Sequence, residues 1–435
     1  MNKSFTFGCG QGATKAMIYC IENGTLDKED CIVVNSTIKD VPEEYRDTAI
    51  IISEDPDAGC GKVRTAAKRL MLNYLKNNPN VLNALIPDDI QYVNIITTTE
   101  GASGSGASVV LAKYIKSQLG IPVIITLISG FESDTRGLQN TIEYFKDLDG
   151  GNFVIKTISN KKYLDKTNNT FIAEKMANAD ISTSFKIVNA FDIIDSEQNI
   201  DDTDHLKLVT NPGLMFVTEV IIDRKLKNSN QFEQLVSDAI DYSCSLEFEP
   251  SATKIGVFMN ISDDNLSIID TSFSSIKKKL CGNSTIEEFF VHRQYNSTEP
   301  EFVRIIASGM NLPKEELEDI YNKYQKSLNS NNDKKDNFFD AISEMDTNTH
   351  ITRTVKTDEK EDFFAQFDDA TSEEDEMVLK RSKKRRPSGF SSTIDNRDNS
   401  NIEGGVEKKR GFTAKKSNSS SSNQLPYNED SIKGY

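Results

Sequence analysis

The sequence is poor in the residues that build metal centres and hydrolytic triads. It contains three histidines, His205, His292 and His350, which lie far apart along 435 residues. This disfavours a histidine-rich metal centre or a Ser-His-Asp triad. The six cysteines form no CxxC pair and follow no regular spacing. Free thiols in a reducing cytosol are therefore expected, rather than a disulfide framework or a zinc site.

Long apolar runs and a basic overall charge are also missing. No stretch of about 18 apolar residues occurs, so we predict no membrane span and no membrane partner. The first residues lack the apolar stretch of a signal peptide, and we expect a cytoplasmic protein, bacterial or in a host cell. The formal net charge is −16. Such a chain is a poor general nucleic-acid binder, so any such contact must come from a local basic segment.

The composition divides the chain into four parts. Residues 1–170 alternate short β-rich runs with helical patterns, which is typical of βαβ units and a mostly parallel sheet. Residues 171–207 hold a long helix-compatible segment, at 171–195, that would join two domains. Residues 208–329 read as a smaller mixed α/β domain. Residues 330–435 are predicted to be a disordered charged tail with short apolar spots, because they bury too little apolar area to offset chain entropy.

The hydrophobic patterns predict individual elements. Strands are expected at 4–7, 31–35, 49–53, 93–97, 122–127 and 152–158, and later at 214–221, 254–259, 266–270, 286–293 and 302–308. Helices are expected at 13–22, 63–75, 107–118, 138–148 and 313–327.

The strongest local signal is a run of small residues between a predicted strand and the helix predicted to open at Ala107. Small residues let the backbone approach a ligand, and successive N–H groups at a helix start bind phosphate. A loop that only connects the two elements is the alternative for this motif taken alone. The run consists of Gly101, Ala102, Ser103, Gly104, Ser105 and Gly106.

Two further small-residue loops follow predicted strands. The first contains Gly10, Gln11 and Gly12, and its Gly-x-Gly-x-x-Ala pattern also fits a dinucleotide fingerprint. That fingerprint needs an acidic residue at the end of the second strand, where this chain has Asn35 and Ser36. The second, residues 57–62, is not a Walker A loop, because Lys62 is followed by Val63. Three loops at one edge of a parallel sheet favour a nucleotide polyphosphate.

These loops, in this order, resemble the tubulin/FtsZ superfamily. Its glycine-rich phosphate loop, GGGTG[ST]G, is similar to residues 100–106, with Glu100 and Ala102 in place of two glycines. Gly10, Gln11 and Gly12 resemble its first nucleotide loop, and Asn35 stands where the family has Asn-Thr. The remaining matches are Gly59, Cys60 and Gly61, where the family senses the γ-phosphate, and Glu132 and Arg136, which keep a Glu-x-x-x-Arg spacing near ribose and phosphates.

The most diagnostic match is an acidic loop. Asn199, Asp201 and Asp204 keep the Asn-x-Asp-x-x-Asp spacing of the family's catalytic loop, at the end of the predicted spine helix. An ordinary solvated turn is the alternative for these residues without the phosphate loops. The resemblance covers about residues 4–325. The divergent loops, long terminal helix and charged tail look most like the phage and plasmid branch (PhuZ and TubZ).

The resemblance implies GTP in the N-terminal domain, GDP as product and Mg²⁺ on the β- and γ-phosphates. Asp201 and Asp204 would repel a triphosphate in their own chain, so the resemblance implies that they reach the nucleotide of a neighbouring subunit in a head-to-tail filament. Asn178 or Asp180 could bind the guanine edge, with a solvated helix face as the rival. Lys62 could touch the γ-phosphate or be a surface lysine, and His205 is expected to be structural.

A basic segment stands out in the predicted tail. It runs from Lys380 to Arg386 and carries six positive charges in seven residues. It could contact DNA, a DNA-bound adaptor or a phage capsid, pair with the acidic body of a neighbour, or serve only solubility.

Together, the loops and the resemblance predict a polymerising GTPase that positions phage DNA or capsids, or segregates plasmid DNA. The alternatives are a Rossmann-type NAD-dependent oxidoreductase and a non-catalytic adaptor that binds DNA or partners through its basic tail.

Overall fold

The computed structural model describes residues 3–148, 152–189, 200–243, 245–328 and 363. Strands and helices alternate through the first half of the chain. The strands are β1 Ser4–Cys9, β2 Cys31–Asn35, β3 Ile50–Ile51, β4 Tyr92–Thr98, β5 Val123–Ser129 and β6 Val154–Ser159. The α-helices are α1 Gln11–Glu22, α2 Arg64–Asn77, α3 Val81–Leu85, α4 Ala102–Tyr114, α5 Thr135–Asp147, α6 Asn160–Thr167 and α7 Thr170–Asn189.

The second half is mixed, as predicted, and closes with a helix. Its helices are α8 Asp202–Val209, α9 Ser229–Asp241, α10 Asp263–Cys281 and α11 Lys314–Ser327. Its strands are β7 Gly213–Ile222, β8 Lys254–Asn260, β9 Glu288–Gln294 and β10 Glu301–Met310. The strand predicted at 266–270 is wrong, because these residues lie in α10. Asn265, Ile269, Ser272 and Ile276 are buried at the three- to four-residue spacing of a helix.

One ten-stranded sheet runs through the described part of the molecule, in the order β3-β2-β1-β4-β5-β6-β7-β10-β8-β9. All pairs from β3 through β7 are parallel, and β10 lies antiparallel between β7 and β8. The predicted α/β fold with a parallel N-terminal sheet is thus confirmed. The sheet continues from β6 to β7, so its hydrogen bonds cross the region between the two predicted domains.

Helices cover both faces of the parallel sheet. Val93 and Ile95 of β4 pack in the same apolar core as α4, whereas Ile96 packs with residues of α1 and α7. Neighbouring residues of a strand point to opposite faces, so α4 and α7 lie on opposite sides of the sheet. The loops that follow β1, β2 and β4 meet at the carboxyl edge of the strands. This edge carries the candidate site.

Several predicted features lie outside the described residues. The spine helix is described as α7 up to Asn189, and residues 190–199, which include Asn199, are not described. The same holds for the predicted tail and its basic segment from Lys380 to Arg386, with the exception of Phe363. Among the described residues, no helix has the length and apolar character needed to cross a bilayer.

Candidate nucleotide site

The small residues after β4 form the first turns of a helix. α4 begins at Ala102, so the predicted start at Ala107 is wrong. Glycine and serine are weak helix formers, but here they are buried and packed. The first N–H groups of a helix have no partners within it, and the helix dipole adds positive charge at this end. The start of α4 therefore has the arrangement that binds phosphate.

Gly104 brings the start of α4 against the end of β1. A Cβ atom at this position would lie 2.4 Å from the carbonyl oxygen of Cys9, so only glycine permits the approach. The first glycine loop lies at the same place. Gly10 precedes α1, which begins at Gln11, and Gly12 lies beside Thr98 at the end of β4. The first loop and residues 100–106, which are called the phosphate loop below, are thus in direct contact.

The loops after β2 and β3 join this cluster through small polar side chains. The hydroxyl oxygens of Ser36 and Ser103 are 2.7 Å apart. Asn35 ends β2 and is buried, and its Oδ1 accepts the Ser36 N–H at 2.8 Å. Its Nδ2 is buried with no hydrogen-bond partner within the described ranges. An unsatisfied buried donor at this point fits a site that a polar ligand completes.

Cys60 lies between Gly59 and Gly61 and faces the same cluster. Burial raises the pKa of its thiol, and hydrogen bonds with Ser36 and Ser103 oppose that shift. The thiol is therefore protonated at neutral pH and is a packing group rather than a nucleophile. Cys60 and Ala102 belong to one small apolar cluster, which holds the Gly59–Cys60–Gly61 loop against the start of α4.

Glu100 ties the phosphate loop to the loop after β5. Its Oε1 accepts the backbone N–H of Glu132 at 2.6 Å, and burial raises the pKa of the carboxyl group. Gly130 leaves room for it, because a Cβ atom there would lie 2.0 Å from the carboxyl carbon of Glu100. In the sequence, Glu100 stands out only as a departure from the glycine-rich pattern. A carboxyl group in place of a glycine is the one feature that could have indicated its hydrogen bond to the loop after β5.

The two residues predicted near ribose and phosphates make contacts within the protein. The Glu132 carboxylate accepts a hydrogen bond from Lys323 of α11 at 2.7 Å. Arg136 donates to Gln139 Oε1 at 3.0 Å within α5. Lys62 forms an ion pair with Asp134 at 2.6 Å, and both side chains are well exposed. An exposed pair of this kind contributes little to stability, so Lys62 could leave Asp134 and bind an anionic ligand instead.

The first turns of α7 lie beside α1 and expose apolar side chains. Lys15 of α1 forms an ion pair with Glu174 of α7 at 3.5 Å. Phe171 is 64% exposed, and Ile172 and Met176 are also exposed. Asp180, predicted to contact a base, accepts a hydrogen bond from the Tyr163 hydroxyl of the same chain. The sequence analysis does not single out Phe171, whose exposed ring has its centre 4.7 Å from the Lys175 amine.

The acidic loop lies at the other edge of the sheet. Asp201 caps α8, and its Oδ1 accepts the Asp204 N–H at 2.8 Å. Asp204 pairs with Lys207 at 2.8 Å. Ile200 packs in one cluster with Tyr92, the first residue of β4, whereas the phosphate loop follows the last. A strand of this length spans about 20 Å, so Asp201 and Asp204 are remote from the phosphate loop of their own chain.

His205 is the last titratable side chain that the sequence analysis singles out. His205 is buried, burial lowers its pKa to about 4, and its ring lies edge-to-face with Phe258 at 6.1 Å. This environment fits the structural role predicted for it. Within the described ranges, no group of three or more histidine, cysteine, aspartate or glutamate side chains could hold a metal ion.

Comparisons with known proteins give structural matches only. No protein-family model matches the chain, and no curated protein matches its sequence. TubZ of the Clostridium botulinum phage c-st is 14% identical, with 75% of this chain and 99% of that chain covered and a TM-score of 0.57. The GTPγS-bound protofilament of CetZ2 from Haloferax volcanii is 15% identical, with 75% and 98% covered and a TM-score of 0.63.

A third solved structure extends this likeness. The GTPγS-form protofilament of TubZ from Bacillus thuringiensis serovar israelensis is 16% identical, with 75% of this chain and 92% of that chain covered and a TM-score of 0.58. Identities this low establish a shared fold and leave activity open. The chain therefore has the fold of the tubulin/FtsZ superfamily.

Proposed function

We propose that this chain is a GTPase that assembles head to tail into filaments, in which the acidic loop of one subunit completes the nucleotide site of the next. One observation carries the proposal. The phosphate loop and the acidic loop lie at opposite edges of the parallel sheet, about 20 Å apart or more. A second copy stacked on the first would bring the two edges together.

The start of α4 is the proposed seat of the triphosphate. Its free N–H groups and dipole favour anions, and the hydroxyl of Ser103, which lies 2.7 Å from that of Ser36, adds a donor. The buried Nδ2 of Asn35 is a further donor at this site. The exposed ring of Phe171 offers a surface on which a base could stack. GDP would remain in the same site after hydrolysis.

Magnesium fits this site only as a partner of the phosphates. The described residues contain no ready-made metal cluster, and Mg²⁺ commonly keeps several waters while it binds substrate phosphates. When bound, the ion would neutralise charge that develops on the phosphates. The residues of the chain would position the nucleotide and its attacking water.

Asp204 is the proposed water-orienting residue. Two carboxylates next to a triphosphate would weaken its binding, so their place at the far edge suits a group that meets the nucleotide only after assembly. Asp204 is partly exposed and paired with Lys207, so it is accessible to a neighbour. A positioned carboxylate typically contributes about 10²–10⁴ in rate. Hydrolysis would then depend on filament formation.

The alternatives from other classes have less support. A dinucleotide-binding oxidoreductase needs an acid at the end of β2, and that strand ends in the buried Asn35. A non-catalytic adaptor would act through the basic segment from Lys380 to Arg386.

We extend the proposal to moving phage DNA or capsids, or plasmid DNA. This finer role is supported by that segment of the sequence and by the phage and plasmid likeness alone.

The test is Asp204→Ala in the full-length chain. We expect GTP-dependent pelleting and filaments by electron microscopy, with hydrolysis reduced by about 10²-fold or more. Lys207→Ala is the matched control, because it removes the same ion pair and keeps the carboxylate. Normal turnover by the Asp204 variant would contradict the role of the loop. A wild-type chain that stays monomeric with GTP would contradict the function itself.

A further inference from the structure

Phe363 is buried although it lies in the part of the chain predicted to be a tail. Its side chain is 4% exposed and belongs to the main apolar core. Its ring meets that of Tyr114 edge-to-face, with centroids 5.3 Å apart and planes at 89°. Such a geometry is a favoured contact between aromatic rings. Phe363 is also the one residue beyond Leu328 that the structure describes.

The surface that receives Phe363 is formed where α2 and α4 end. Tyr114 is the last residue of α4, and its hydroxyl donates to the carbonyl oxygen of Pro79, just after α2, at 3.3 Å. Basic residues accompany this surface, because Lys113 precedes Tyr114 and Lys76 lies in the last turn of α2. The surface is thus an aromatic seat with positive charge at the adjoining helix ends.

The segment that carries Phe363 has the complementary chemistry. Glu361 and Asp362 precede Phe363, and Asp368 and Asp369 follow shortly after. An aromatic anchor between acidic residues suits an apolar seat beside lysines. The anchor would supply most of the affinity, and the charges would steer the segment and set its orientation.

We infer that residues 361–369 are a docking motif that binds the ends of α2 and α4 of the same chain, with Phe363 as its anchor. The occupant is this chain itself because residues 329–362 tether the motif to α11. A linker of that length can span about 30 Å and would keep the motif at a millimolar effective concentration. The inference does not depend on GTP binding or hydrolysis.

The docked motif lies at a defined place in the fold. α4 follows β4 and returns along it, so its last residue lies at the amino edge of the strands, away from the phosphate loop. The acidic loop lies at this same edge, on the face that carries α7. The motif therefore connects the far end of the chain to the edge that carries Asp201 and Asp204.

Photocrosslinking of the full-length protein tests the inference. Benzoylphenylalanine replaces Phe363, and irradiation is followed by mass spectrometry of the monomer band. We expect crosslinks to the peptides that contain Tyr114 or Pro79. Phe338 and Phe339 form a second aromatic pair between acidic residues, Asp336 and Asp340. The same probe at Phe339 should not give these crosslinks. Crosslinks to a different surface, or only in a band of dimer mass, would overturn the proposal.

Hydrogen exchange covers the case in which the bulky probe prevents docking. Phe363→Ala should speed amide exchange around residues 110–118 by roughly threefold or more, because the end of α4 loses its cover. Phe364→Ala is the matched control and should leave these amides unchanged. Equal exchange in the two variants would refute docking through Phe363. Neither measurement requires nucleotide, so failure here is distinguishable from failure of the proposed GTPase.

Discussion

Lys156 shows how strongly one residue can depend on its surroundings. It lies in β6, and its amine is enclosed between the sheet and α7. The amine donates to Ser184 Oγ at 3.0 Å and lies 4.2 Å from the centre of the Phe185 ring. Burial lowers its pKa to about 7, because a charged amine is poorly solvated there.

Replacing Lys156 with methionine should stabilise the fold at neutral pH. The pKa is about 7 in the folded chain and 10.5 when unfolded, so the unfolded chain binds more protons between these values. The cost of burying the charge is therefore complete below pH 7 and disappears as the pH approaches 10.5. We expect Lys156→Met to raise the free energy of unfolding by on the order of 2 kcal/mol at pH 7.

Urea unfolding of both proteins at pH 7 and pH 9.5 measures this effect. The advantage of the methionine variant should shrink at the higher pH, since wild-type protein gains stability in that window. Lys161→Met is the control, because Lys161 lies near the surface and pairs with Asp165. A stability difference that does not change with pH would show that Lys156 is neutral or well solvated throughout.

At the residue scale, the sequence predicts where a glycine is needed better than it predicts hydrogen bonds between loops. The crowding at Gly104 follows from a strand–loop–helix pattern that is local in the sequence. The bond from the Glu132 N–H to Glu100 joins residues 32 positions apart, and no local pattern encodes it. The exposed Phe171 was missed for a similar reason, since its surroundings depend on how α7 lies beside α1.

Asp201 caps helix α8, and under the proposed function it also acts on the nucleotide of a neighbouring subunit. The cap uses one carboxylate oxygen, which accepts the Asp204 N–H at 2.8 Å. Because asparagine caps helices about as well as aspartate, the two parts can be separated. We expect Asp201→Asn to keep the stability of the wild type and to lose hydrolysis about tenfold or more. Asp201→Ala should lose hydrolysis and also about 1 kcal/mol of stability.

Thermal unfolding and phosphate release, measured on the same samples, distinguish the two parts. Full turnover by the asparagine variant would mean that Asp201 acts only as a cap. Equal stability of the alanine and asparagine variants would mean that the cap adds nothing measurable. Asp263→Asn and Asp263→Ala, in the first turn of α10, provide a matched pair away from the acidic loop.

At the element scale, the errors come from ambiguous apolar runs and from small residues. Residues 266–270 form a short apolar run, which strand and helix patterns fit equally well until length decides. Burial at Ile269 and Ile276 places the run in α10. The predicted start of α4 is too late because glycine and serine favour loops in isolation, whereas packing against β1 holds them helical.

At the scale of the whole molecule, the fold could be predicted because several loops of the chain follow one another in the same order as in the tubulin/FtsZ superfamily. Their meeting at one sheet edge follows from parallel strands alone. The distance between the phosphate loop and the acidic loop could not be predicted from the sequence, because it depends on the path of α7 along the sheet. At the end of α7, Asn189 Oδ1 accepts a hydrogen bond from the Tyr92 hydroxyl at 2.8 Å. That separation leads to a prediction for two inactive variants.

Two variants that are each inactive should restore hydrolysis when mixed. Asp204→Ala keeps the phosphate loop and loses the acidic loop. Gly104→Ala keeps the acidic loop, and its added Cβ atom would clash with the Cys9 carbonyl oxygen and displace the phosphate loop. In a head-to-tail contact, GTP on the first variant meets the intact Asp204 of the second. Phosphate release should therefore appear only in the mixture, with both proteins shown to be folded by circular dichroism. A mixture whose two variants pellet together with GTP and which is as inactive as its components would mean that the acidic loop does not act on a neighbouring subunit.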